Sequence, residues 1–66
     1  MSINPNERVI IEGTLERKTD KAILLMVRTE EVWLPKSQIT YDDNSEVGQM
    51  IEVDLPYWLA KKNEVL

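Results

Sequence analysis

The chain has 66 residues, 12 Asp and Glu against eight Lys and Arg for a formal charge of −4, and neither cysteine nor histidine. That composition excludes disulfides, thiolate or imidazole zinc sites, a cysteine nucleophile and a Ser-His-Asp triad, leaving only all-oxygen metal sites or paired carboxylates as catalytic equipment. A chain this short forms one domain, residues 1–66, with a marginal core. Small domains are commonly reinforced by disulfides, metals or self-association. Since the first is impossible and the second has no soft ligands, a homo-oligomer is expected.

Residues 1–7 read as a polar lead-in without the basic and apolar regions of a secretory signal. No apolar stretch is long enough to span a bilayer, so a soluble, cytoplasmic protein is expected, and the missing cysteines suit a reducing compartment. Residues 8–55 read as a β meander. From Arg8 to Arg17, Val9, Ile11, Gly13 and Leu15 alternate with Arg8, Ile10, Glu12, Thr14 and Glu16, the period of a half-buried strand, with Gly13 a candidate bulge or bend. A polar turn, residues 18–21, leads to the apolar run Ala22 to Val27, read as a central strand covered on both faces. In a chain with one short helix, part of that cover is expected from a neighbouring subunit.

Residues 28–31 form the next turn, and Val32-Trp33-Leu34 a short strand closed by Pro35, completing a hairpin. Ile39-Thr40-Tyr41 can pair briefly before the acidic stretch 42–48, and Met50 to Leu55 alternates again as a strand. Residues 56–66 read as a short C-terminal helix and tail, with Pro56 in the first turn, Lys61 and Lys62 at the negative end and Asn63 as a left-handed cap. The whole is a mainly β protein: a small, strongly bent antiparallel sheet or partly open barrel, SH3-like or OB-like, of four to five strands with a short C-terminal helix.

Few residues carry chemistry. The segment Asp42-Asp43-Asn44-Ser45-Glu46 looks like a calcium loop, but the positions that need glycine and glutamate hold Val47 and Val53. A solvated acidic loop is the reading, and no metal or cofactor is expected. The carboxylates Glu12, Glu16, Glu52 and Asp54 fall on outward strand positions where solubility explains them, so no catalytic role is expected. Val32-Trp33-Leu34-Pro35-Lys36-Ser37-Gln38 is more informative. Trp33 is either core or a platform for a base, Lys36 can meet a phosphate, and Ser37 and Gln38 can bond base or ribose edges. Arg8, Arg17, Lys18, Lys21 and Arg28 form a basic rim or blunt edge strands. Tyr57 and Trp58 cannot both face the core of a short helix, and Tyr57 is expected to turn outward.

The segments running from Lys21 to Leu25, from Glu31 to Ile39 and from Pro56 to Lys62 resemble a group of very short open reading frames of bacteriophages and mobile elements. These share a VWLPKSQ-type segment and end in P-x-W-L-A-x-K. The resemblance implies a phage-type accessory protein acting by stoichiometric binding against host defence, in the host cytoplasm. Its implied modes are sequestration of a nucleotide-derived immune signal and inhibition of a host enzyme. The first reading places that ligand between subunits on Trp33, Lys36, Ser37, Gln38, Arg8, Arg28 and Tyr57. The alternatives are an acidic protein-binding inhibitor and an OB-like single-stranded nucleic-acid binder, which the negative charge disfavours.

Overall fold

A computed structural model describes residues 4–65. It contains β1 (Arg8–Lys18), β2 (Ala22–Val27), β3 (Glu30–Pro35), a single 3₁₀ turn (Lys36–Gln38), β4 (Met50–Pro56) and α1 (Tyr57–Lys62). The strands form one antiparallel sheet in the order β3-β2-β1-β4. The mainly β class is as expected, but the path is not a simple meander. After β3 the chain crosses over and returns beside β1, which is the Greek-key order, and the sheet does not close into a barrel. No helix among the described residues is long and apolar enough to cross a membrane.

The strand β1 is long enough to serve two partners. Its first part, Arg8 to Thr14, pairs with β4, and its second, Thr14 to Lys18, pairs with β2. Two devices let it turn from one to the other. At Gly13 a Cβ atom would lie 2.6 Å from the Met26 carbonyl oxygen, a distance that only a residue without a side chain permits. The bulge itself falls further on, between Leu15 and Arg17, not at Gly13. The inward residues Ile11, Leu15, Ile23, Leu25, Val32, Leu34, Ile51, Val53 and Leu55 form one apolar layer, closed by Ile39 from the crossover and by Leu59, Ala60 and Val65 from the helix and its tail.

The expected second face of β2 is covered from within the chain. Leu24 is only 7% exposed although it lies on the outer side, because Trp33 and Arg17 stand opposite it on the two neighbouring strands. A neighbouring subunit is therefore not what covers this run. The crossover is tied down at each end: the Lys36 N–H donates to the Lys21 carbonyl at 2.8 Å, and Thr40 exchanges backbone hydrogen bonds with Asp54 at 2.7 and 2.9 Å. The brief pairing expected at Ile39–Tyr41 is this single bridge to the outer edge of β4.

Backbone groups complete the start of α1, and backbone groups together with one side chain complete its end. Its first donors, the N–H groups of Tyr57 and Trp58, bond to the carbonyls of Glu7 and Pro5, so the lead-in supplies the cap. Pro56 is the N-cap residue, one place before the first turn. At the other end the Val65 N–H reaches the Ala60 carbonyl and the Glu64 N–H reaches that of Lys61, the paired bonds of a Schellman motif. The left-handed residue is Glu64, with φ 56°, and not Asn63, whose φ is −93°. Asn63 instead donates its side-chain amide to the Leu59 carbonyl at 3.0 Å.

Two substitutions test these backbone constraints through urea unfolding midpoints. Glu64→Gly should raise stability by about 1 kcal/mol, since glycine accepts the left-handed conformation without a Cβ clash. Gly13→Ala should lower it by about 1–3 kcal/mol, the cost of overpacking a site whose neighbour is backbone.

Candidate nucleic-acid interface

Along β3, Val32 and Leu34 face the core, so Glu31, Trp33 and Pro35 face outward. Trp33 is 50% exposed, which settles its two open readings against the core. Register places it opposite Leu24, and Leu24 opposite Arg17. The neighbouring outward row runs Glu31, Met26, Thr14, Met50, with Met50 exposed and Met26 half-buried. The outer side of the three strands β3, β2 and β1 thus carries a flat aromatic flanked by apolar and polarizable side chains.

The bulge in β1 decides which charge joins this platform. Strict alternation from Leu15 would set Glu16 outward and opposite Leu24. With one extra residue in the strand, Arg17 takes that place. Lys21 and Lys36 lie at the same end of the sheet, brought together by the bond between their backbones. Among the described residues none of these three cations forms an ion pair. Lys18 is committed otherwise: its ammonium donates to the carbonyls of Asp43 at 2.7 Å and Ser45 at 3.0 Å. The acidic loop is thereby clamped to the end of β1, and the Asp42 carboxylate accepts the Asn44 N–H at 2.9 Å. No group of acidic residues with metal-binding geometry occurs among the described residues.

The remaining sequence candidates scatter. Ser37 and Gln38 are exposed in the 3₁₀ turn beyond Trp33, while Lys36 is half-buried there. Arg8 is consumed by the fold. Its Nε donates to the Asp54 carboxylate at 2.6 Å, one terminal nitrogen to the Asp54 carbonyl at 3.0 Å and the other to the Gln38 carbonyl at 3.3 Å. It is a clamp between β1, β4 and the crossover, with no free donor pair for a ligand. Arg28 occupies the far tip of the β2–β3 hairpin with φ 60°, the first central residue of a two-residue turn. It lines a small cleft of about 120 Å³ with Val27, Thr29, Glu30 and Glu64, away from Trp33. Tyr57 is half-buried at the start of α1, and the residue that turns outward is Trp58, at 38% exposure. The helix presents Leu59 and Ala60 to the core, and that face leaves Trp58 on the opposite side.

The Tyr41 hydroxyl is buried without a hydrogen bond among the described residues. Its pKa is pushed above the ordinary phenol value, first by burial and then by the nearby Asp43 carboxylate.

A Greek-key sheet with a bulged first strand that pairs on both edges and an aromatic on its outer β2–β3 face is the arrangement of an OB-type module. In agreement, residues 9–55 match the family model of the S1 domain, and the chain belongs to that OB-fold family. The match takes in nearly all of β1 to β4 and stops just before Pro56 and α1. No curated protein and no solved structure matches the chain.

If Arg8 acts as a clamp, Arg8→Met should speed amide hydrogen exchange at Thr40 by about tenfold while changing global stability by less than about 1 kcal/mol, since the ion pair is solvent-accessible.

Proposed function

We propose that the chain binds single-stranded nucleic acid on the outer face of β1–β3, with Trp33 as the stacking platform, Arg17 as the phosphate contact on that face, and Lys21 and Lys36 as further cations at the adjoining end of the sheet. One observation supports this above others: the largest aromatic of the sheet stands half-exposed in an S1 domain, in register with an unpaired arginine. Bases of every kind stack on an indole, so binding is tolerant of sequence. An open sheet face suits a strand better than a sequestered small molecule, and the cleft at Arg28 is too far along the hairpin to share Trp33.

The acidic balance shapes the mode of binding. Glu12 and Glu52 stand directly opposite each other on the outer side of β1 and β4, and Asp54 lies one outward row further. That half of the sheet repels phosphate. A strand is therefore confined to the part of the face that carries Trp33, Leu24 and Arg17, and with three cations in play the expected salt slope is shallow, about −2 in log K against log salt.

Fluorescence anisotropy with labelled single-stranded oligo-U and oligo-dT at low salt tests the reading. Binding is expected, and Trp33→Ala should weaken it by roughly 5- to 150-fold, the loss of about 1–3 kcal/mol of stacking. Circular dichroism confirms that the variant is folded, and Arg17→Glu provides a second variant that leaves the core untouched. No anisotropy change with either oligomer, or equal binding by both variants, overturns the proposal.

A further inference from the structure

The strand β3 ends the sheet on one side. Its two-residue hairpin turn pairs Val27 with Glu30, and the N–H of Lys36 still bonds the Lys21 carbonyl, so residues 30, 32, 34 and 36 direct their backbone groups at β2. Glu31, Trp33 and Pro35 direct theirs away from it. Among the described residues no backbone group from another segment meets this edge. An OB barrel has five strands, and the position on this side of β3 is where closure would require another.

We propose that β3 pairs with the β3 edge of a second copy of this chain, antiparallel, about a two-fold axis at Trp33. The pairing is isologous and joins the two four-stranded sheets into one. The Trp33 N–H donates to the carbonyl of the partner's Trp33, and the reverse; the Glu31 N–H donates to the carbonyl of the partner's Pro35, and the reverse. Pro35 has no N–H to donate, so in this register the Glu31 carbonyl opposite it gains no ladder bond and each half of the seam carries one bond fewer than a full ladder. Charge selects the register. With the axis at Trp33, Glu30 faces the partner's Lys36, and the small apolar pair Val32 and Leu34 face each other. An axis at Val32 would set Lys36 against the partner's Arg28. An axis at Glu31 would set Glu31 against its own copy, and both put like charges together. An axis at Leu34 leaves Lys36 facing Val32 and gives Glu30 no cation.

The same charged residues therefore reject other pairings and complement this one, a dual use of charge on an edge strand. The two indoles come to lie side by side on one outer face, since directly opposed residues of a hydrogen-bonded pair are about 5.5 Å apart at Cα. The dimer does not depend on nucleic-acid binding and is tested without it.

Sedimentation velocity across a concentration series reads the assembly. A single short ladder is a small interface, so a monomer–dimer equilibrium with a dissociation constant on the order of 10–100 µM is expected. Glu30→Lys and Lys36→Glu should each weaken it by about tenfold by placing like charges opposite each other twice per dimer. The double variant Glu30→Lys/Lys36→Glu should restore it. A monomer throughout the series overturns the proposal. So does a dimer that the single reversals leave unchanged, or one that the double reversal does not rescue. Circular dichroism of each variant establishes that it is folded, and a charge swap that rescues assembly is a readout that a merely destabilised monomer cannot produce.

Discussion

The close approach of the Gly13 backbone to the β2 strand is the constraint on which the sheet depends. With a Cβ position only 2.6 Å from the Met26 carbonyl, β1 and β2 come nearer than side chains allow, and β1 can turn from β4 on one side to β2 on the other. A straight strand of the same length would hold both partners in one flat ribbon, whose apolar face a single short helix cannot cover. The inward residues of β1 meet those of β2, β3 and β4 in one apolar layer, and Leu59, Ala60 and Val65 suffice to close it. Curvature here substitutes for size: a chain with a marginal amount of apolar surface encloses its core by folding the sheet around it.

The bulge two residues later sets the chemistry of the outer face. It leaves the inward set intact and swaps an outward carboxylate for a guanidinium, so that the row through Leu24 and Trp33 ends in Arg17. The opposite half of the same face bears the Glu12–Glu52 pair, an arrangement that costs stability because like charges stand opposite each other across the ladder. Nothing in the packing of the core requires those two carboxylates, since both are exposed. Their effect is to make the outer side of the β1–β4 pair anionic, whereas the row through Trp33 and Leu24 ends in the Arg17 guanidinium. A domain with net negative charge can in this way still present a local surface to which phosphates are not repelled.

The strands were legible in the sequence wherever one face is core and the other solvent, because period-two alternation follows directly from the pleat. That held for Val9 to Leu15 and for Ile51 to Leu55, and the hairpin around Trp33 was bounded by its turn residues and Pro35. What the alternation could not reveal is order and register. Pairing β4 with β1 rather than continuing beside β3 is a long-range choice made by the crossover, through Lys36 with Lys21 and Thr40 with Asp54, and those contacts are between backbones. The place of Arg17 was hidden for the same reason, since one extra residue in a strand reverses every assignment after it. Tyr57 and Trp58 show the limit at a helix. A period of 3.6 says that neighbours diverge, but which of them points outward depends on where the helix enters, and that is fixed by the carbonyls of Glu7 and Pro5. Met26 and Met50 carry no local sign of belonging to the outer face, because only register places them in the row beside Trp33.

The helix α1 bears on how such a sheet can remain open. In a barrel closed by a fifth strand, the edge of β3 would be spent on its own chain, and the apolar layer would be sealed by ladder hydrogen bonds. Here the layer is sealed instead from below, by a helix that follows β4 directly and whose Schellman turn carries Val65 back into the core. Sealing by side-chain packing needs no backbone partner, so Val32 and Leu34 are buried while the edge groups of Glu31 and Trp33 meet no backbone partner among the described residues. The four-stranded arrangement thus separates two tasks that a closed barrel combines: covering the core, which one short helix performs, and satisfying the last strand, which is left to water or to another chain. An edge that is unnecessary to the core can be offered for pairing without exposing apolar interior, and its position next to Trp33 means that whatever occupies it also borders the outer face.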